Sequence, residues 1–210
     1  VQNELRKLNT LFVHSRYFWV YCDFKTVENN FHVPILGNRV LLKAEERTVE
    51  NMQYVILQNA GIRFPRIFSS PKEIDRLVIV KASEAKRSYE RAFFLAATPA
   101  EFDARAAELV TKRIITADSL KNAVIEEFVL GAQVNFNYFY SAVDGELELL
   151  GTDTRRQTNL DGLIRLPASD QLAALNFIKP KMIETGHIAV TVKESLLEKI
   201  FDIGERFVSA

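Results

Sequence analysis

Cysteine is almost missing from this sequence. The single Cys22 excludes an internal disulfide framework and, with only 3 His, argues against a structural zinc site. An excess of one charge is missing too. Lys+Arg and Asp+Glu both number 27, giving a formal net charge of zero and a pI near 7.0. That balance removes the footprint of a nucleic-acid or anionic-membrane binder, while leaving room for a local anion site. No run approaches the roughly 18 apolar residues of a membrane span. Val1 to Leu8 is polar and charged, unlike the basic-then-apolar start of a signal peptide, so a reduced cytoplasmic protein is expected. The first residue is Val1 rather than Met, which reads as a piece of a longer chain. Glycine is scarce, 8 in 210 residues, and none occurs between Gly61 and Gly131. No glycine-lined phosphate cradle can be built in that interval.

What is present is ordinary globular material: 48% hydrophobic and 26% charged residues. Fifteen Phe, 6 Tyr and 1 Trp supply enough apolar area to exclude disorder as the main state. At roughly 150 residues per domain, 210 residues make one large domain or two small ones.

Leu11-Phe12-Val13 and Phe18 to Tyr21 read as short buried strands, and Pro34 to Asn38 as a loop. From Ala44 the pattern turns helical, with Val49, Met52, Ile56 and Ala60 on one stripe. Gly61 and Pro65 then end the helix. Ser70-Pro71-Lys72-Glu73 and Thr98-Pro99-Ala100-Glu101 each write a helix start: a capping hydroxyl, a proline in the first turn, and a glutamate able to reach back to the cap's amide. Between them, Leu77 to Lys81 is an apolar β-branched run and Phe93 to Ala96 its paired strand, so residues 66–125 form a small α+β unit. Val134 to Ser141 alternates with period two, Asp144-Gly145 is a tight turn, and Glu146 to Leu150 returns as the second hairpin strand. Leu196, Ile200, Ile203 and Phe207 mark an amphipathic helix containing Gly204.

Four places could carry chemistry. Gly37-Asn38-Arg39 is a turn followed by a guanidinium, or a plain loop with a surface arginine. Lys81, ending an apolar strand, suits a phosphate as a compact point charge, or snorkels with its stem over the core edge. In Ile125-Glu126-Glu127-Phe128-Val129, adjacent carboxylates on a strand point to opposite faces, so one of them can accept from an adenine amino group or a ribose hydroxyl. The alternative is an edge strand protected by charge. Gly151 to Gly162 is nearly free of apolar side chains and reads as a long polar loop, either solvated or functional. There Arg155 and Arg156 could grip a phosphate, and Asn159 could both donate and accept.

The order Gly-Asn-Arg, helix, Gly61 with Pro65, Val78-Ile79-Val80-Lys81, helix, Glu126-Glu127-Phe128-Val129 resembles the ATP-grasp enzymes. Val33 to Arg39, Ala44-Glu45-Glu46-Arg47, Asn135 to Ser141, Glu148 to Asp153, Arg155 to Gly162 and Val192 to Leu197 are similar to one branch of them. That branch is the archaeal formate-dependent ligases of purine biosynthesis, the FAICAR synthetase family. The resemblance runs from about residue 5 to 210. It implies an α/β (α+β) fold of two subdomains with the nucleotide between them. Residues 1–40 would end a preceding unit and linker, 41–125 would be the small lid subdomain with its leading helix, and 126–210 would begin the large subdomain.

The resemblance also implies a chemistry. A cytoplasmic ligase would use ATP and Mg²⁺, or Mn²⁺, to formylate 5-aminoimidazole-4-carboxamide ribonucleotide (AICAR) through formyl phosphate. ATP, formate and AICAR would be its partners, with no nucleic acid and no membrane, and the family commonly forms homo-oligomers. By the same resemblance Lys81 and Arg39 are the catalytic cations. Lys81, Glu126, Glu127, Phe128 and Val129 hold the nucleotide, while Asn159, Arg155 and Tyr17 contact the substrate. The sequence departs from the family at Ala82 to Arg91, where a glycine-rich phosphate loop is usual, and at Tyr17, where a substrate-binding serine is usual. The family's metal-binding acidic stretch has no match here, so no metal ligand is named. Two other readings stay open: a paralogue kept as a nucleotide-binding module, and an ATP-grasp ligase with a different acceptor.

Overall fold

The computed structural model describes residues 1–13, 24–37, 39, 52–82 and 92–210. They fall into two compact units, Val1–Ile62 and Arg63–Ser209.

The first unit holds helices α1 (Gln2–Lys7), α2 (Phe24–Asn30) and α3 (Gln53–Asn59). Gln2 ties α1 to the end of α2: its Nε2 donates to the Asn30 carbonyl at 3.1 Å, and its Oε1 accepts from His32 N at 2.8 Å. Phe12 meets Phe31 edge-on with ring centroids 5.3 Å apart, and pairs in parallel with Ile35 through a single bridge. The buried strand expected at Leu11 to Val13 is therefore not formed. Leu11 and Val13 are exposed, because that bridge brings no second strand to cover them. Ile56 is the buried residue of α3, and Gly61 closes the helix with φ +62° as expected. Phe18 to Tyr21, Tyr17 and Ala44 to Arg47 lie outside the described residues.

The second unit is built on two antiparallel sheets. The first holds β1 (Ile67–Phe68), β2 (Val78–Lys81), β3 (Phe93–Ala96) and β4 (Val124–Glu127), in the order β1-β4-β2-β3. Its β-branched run is buried on both sides. Val78, Val80, Phe94, Ala96 and Ile125 pack with Phe102 and Ala106 of helix α4 (Pro99–Thr111), while Ile79 turns to the opposite face among Leu160, Leu163 and Met182. β4 lies inside the sheet, between β1 and β2, so the edge-strand alternative for Glu126-Glu127 is removed by the pairing order. Helix α4 starts as written: Thr98 Oγ1 accepts from Glu101 N at 3.2 Å, and the Glu101 carboxylate reaches back one residue past the cap, to Ala97 N at 2.8 Å. The parallel signal at Ser70 yields a single 3₁₀ turn, Pro71–Glu73, because Ile74 goes straight into extended backbone and is buried in the core. Helix α5 (Ala117–Lys121) follows α4 under a Thr116–Ser119 capping box.

The second sheet is β5 (Asn135–Ser141), β6 (Glu146–Gln157) and β7 (Glu184–Ala189), in that order. The hairpin turn is where Asp144-Gly145 put it, with Gly145 at φ +71°. β6 is longer than expected. Residues 151–157 continue as strand rather than polar loop, because β5 pairs with 151–153 and β7 takes over the pairing from 153 to 157. Short helices α6 (Leu160–Leu163) and α7 (Ala168–Ala174) follow, and α8 (Glu194–Ser209) packs on β5 and β6. Tyr138 Oη donates to the Ile200 carbonyl at 2.7 Å. Beside it a Cβ at Gly204 would stand 2.6 Å from a Leu147 methyl, so the helix glycine is a packing contact. Among the described residues no helix is long and apolar enough to cross a membrane.

Candidate functional site

β2 and β4 are neighbours, with Ile79 opposite Glu126 and Lys81 opposite Val124. Lys81 and Glu126 therefore share a face on the diagonal, the same face as Ile79. Their side chains join there in an ion pair, with Glu126 only 5% exposed and Lys81 part-buried. A carboxylate buried this deeply is stable as an anion only beside a cation. Such a pair places a positive charge and an acceptor side by side at one end of an apolar floor, an arrangement suited to a ligand carrying both phosphate and amino or hydroxyl groups.

Glu127 points to the other face. It accepts from Arg66 N at 3.3 Å and stands 3.7 Å from Arg76. The tandem carboxylates are thus split between faces, as alternation requires. After β4, Phe128 N donates to the Leu77 carbonyl at 2.9 Å and its ring packs against the Ile79 cluster, whereas Val129 is exposed. Gly131 then meets Gln171 of α7.

The Asn135 face of the second sheet carries a network that sequence reasoning missed. Asn135 and Asn137 donate to the two oxygens of Asp153 at 2.8 and 2.7 Å. His187 Nδ1 lies 2.7 Å from Asp153, its Nε2 lies 3.2 Å from Glu184, and Glu184 pairs with Arg155 Nε at 3.3 Å. The His187 ring, then the Asn137 and Asn135 amides, hold the Asp153 carboxyl down at about 2. Asp153, then Glu184, raise His187 above its ordinary value. This network needs a β-bulge. Pairing runs regularly from Ser141–Glu146 to Tyr138–Leu149, then skips Leu150, so that Asn137 meets Gly151 and Asn135 meets Asp153. Two asparagines at period two opposite a polar strand were the available signal; the skipped residue was not legible.

Asn159 closes the junction between β6 and α6. Its Nδ2 donates to the Lys179 carbonyl and its Oδ1 accepts from Lys181 N, both at 2.8 Å. Arg156 and Arg165 approach Asp161 at 3.3 and 3.5 Å, and the other oxygen of Asp161 is buried without a hydrogen-bond partner. In the first unit, Arg39 donates through Nη1 to the Val27 and Phe31 carbonyls and through Nη2 to Val33 at 2.8 Å, beside an open depression lined also by Arg6, Glu28 and His32. The structure thus brings Lys81, Glu126 and Phe128 to one face of the first sheet, and sets Arg155 on the polar face of the second. Asn159 and Arg39 are committed to backbone groups, and Tyr17 lies outside the described residues. Among the described residues no group of three His, Cys, Asp or Glu side chains is arranged to hold a metal ion.

Residues 101–210 match the family described as a domain of unknown function, DUF1297. The chain belongs to the DUF1297 family. Ahead of the DUF1297 region, residues 1–68 match a protein of unknown function, DUF1246. A curated relative from Methanocaldococcus jannaschii is 42% identical over all of this chain and 56% of its own length. Another from Methanopyrus kandleri is 41% identical, with 100% and 57% covered. Both are named 5-formaminoimidazole-4-carboxamide-1-(beta)-D-ribofuranosyl 5'-monophosphate synthetase. The chain spans a little over half the length of these relatives. The crystal structure of an IMP biosynthesis protein PurP from Thermococcus kodakaraensis matches with a TM-score of 0.61 at 26% identity, covering 94% of this chain and 53% of that one. The expected similarity to FAICAR synthetases and the α/β ATP-grasp fold are borne out for this DUF1297 chain.

Proposed function

We propose that the full-length protein is an ATP- and formate-dependent ligase that converts AICAR to its formamido product in IMP biosynthesis, working in the cytoplasm as a homo-oligomer. The observation that carries this is the buried Lys81–Glu126 pair shared by two interior strands, in a chain 42% identical to a named synthetase. Residues 41–125 act as the small lid subdomain and 126–210 as the beginning of the large one.

A formate oxygen bonds to the γ-phosphorus of ATP as the bond to the bridging oxygen breaks, giving formyl phosphate and ADP. The amine of AICAR then bonds to the formyl carbon, phosphate leaves with the C–O electron pair, and the nitrogen gives up a proton to solvent. Both steps pass charge through phosphoryl oxygens, where positioned cations lower the barrier. Lys81, at the end of β2, supplies one, and by the family resemblance Arg39 is the other. Glu126 and the backbone of Phe128 and Val129 hold adenine and ribose, with Glu127 bracing the same strand from its far side. Arg155 takes the ribonucleotide phosphate, and Asn159 meets its carboxamide with the amide hydrogen and lone pair not used on the Lys179 and Lys181 backbone; by the family resemblance Tyr17 is a further substrate contact. Magnesium would neutralise phosphate charge when bound. Among the described residues no group of three carboxylate, His or Cys side chains is arranged to hold it.

The test is ADP release by the full-length protein. Release is expected when ATP, formate, AICAR and Mg²⁺ are all present, and not when any one is withheld. The absence of glycine between Gly61 and Gly131 supports a second reading, a nucleotide-binding module without turnover. ATP uptake with no ADP release under any combination would establish that reading, and release with another carboxylate would establish a ligase of different specificity.

A further inference from the structure

Gln171 is 2% exposed, one of two buried polar side chains found with Glu126 among the described residues. Its amide is spent on backbone. Oε1 accepts from Gly131 N at 3.1 Å, while Nε2 donates to the Gly131 carbonyl at 3.3 Å and to the Leu166 carbonyl at 2.7 Å. Taking the N–H and C=O of a single residue together reproduces the pairing that a neighbouring strand would give. Gly131 is thereby held as firmly as a sheet residue, although β4 has already ended at Glu127. Its φ of +137° is a conformation that side-chain-bearing residues rarely adopt, so the chain is bent to a defined shape at the clamp. The stretch from Phe128 to Gly131 is fixed at both ends, by the Leu77 carbonyl and by the Gln171 amide, with Val129 exposed between them. Burying a side-chain amide in a short helix is costly unless it is hydrogen-bonded, and here both N–H groups and the oxygen bond to backbone.

We propose that Gln171 is a positioning residue for the nucleotide, reaching from α7 to hold the Phe128–Gly131 backbone at the height where its amide and carbonyl groups meet adenine. The proposal rests on the ATP-grasp reading of that stretch. It adds that nucleotide affinity is set by a residue forty positions away along the chain.

The test uses the full-length protein with Gln171→Glu and Gln171→Met. An ionised Glu keeps the shape but cannot donate to either carbonyl; Met keeps the length and loses both roles. Either variant should raise the KM for ATP about tenfold while the KM for AICAR and kcat at saturating ATP stay within about twofold, the pattern of lost uniform binding. An ATP KM within about twofold of wild type in either folded variant overturns the proposal. So does an equal loss for ATP and AICAR. If both variants fail to fold, hydrogen exchange at the Gly131 amide of the wild type decides. Slowing on ATP addition supports the proposal, and exchange indifferent to bound ATP overturns it. Wild type that takes up no ATP sinks the underlying ATP-grasp reading as well, which separates the two failures.

Discussion

Lys81 and Glu126 depend on each other more than a surface pair does. Removing one partner of a buried ion pair leaves the other's charge uncompensated, at about 3 kcal/mol or more. Lys81→Ala is therefore expected to abolish ADP release and also to lower the denaturant midpoint, because Glu126 stays 5% exposed without its cation. Lys81→Met combined with Glu126→Gln should recover the midpoint and not the activity. If the double variant is as unstable as the single one, the pair is not what stabilises this face. His187 makes a second prediction. Its pKa is raised by Asp153 first and Glu184 second, so the folded state holds that proton more tightly than the unfolded chain. The contribution is complete below the unfolded value of about 6.5 and fades as pH climbs through the folded value. Asp153, held at about 2, contributes above its unfolded value of about 3.9 and fades as pH falls toward 2. The melting-temperature advantage of wild type over His187→Gln should thus be largest between about pH 4 and 6.5 and shrink above it. An advantage that stays flat into alkaline solution would contradict this geometry.

α8 makes its tightest approach to β5 and β6 at one small residue, Gly204. Gly204→Val should lower stability by about 2 kcal/mol in denaturant unfolding, since its side chain would enter space held by Leu147 and by a Tyr138 ring tethered through its hydroxyl to Ile200. An unchanged midpoint would mean that the helix simply lifts away. Which elements were legible follows from how they are stabilised. β2, β3, α4 and the β5–β6 hairpin announce themselves through β-branched runs, a Thr-Pro-x-Glu cap and Asp144-Gly145, all local signals. Residues 151–157 did not, because their partners β5 and β7 supply the strand context and the residues themselves are polar on both faces. The candidate site was readable where one residue type ends an apolar run, as at Lys81. It was unreadable where chemistry comes from register, as at Asp153 and His187, or from a lone buried amide such as Gln171. Counting regularly back from the hairpin turn would have set Asn135 against Thr152.

Across the whole molecule, β2 with Lys81, β4 with Glu126 and the Gln171 clamp all lie in one compact unit, Arg63–Ser209. In the full-length protein, ATP with Mg²⁺ should slow amide exchange at 78–81 and 124–131 and leave α8 nearly unaffected. Uniform protection, or protection confined to α8, would place the nucleotide elsewhere. The skipped Leu150, itself exposed, has a consequence for how chain length can vary. It is slack in the ribbon, a spare link that takes no part in pairing. Deleting it should leave Asp153 and Arg155 on the side they occupy now. Deleting Thr152, two positions on, should turn the rest of the strand over, putting Thr154 where Asp153 had stood and Arg156 where Arg155 had stood.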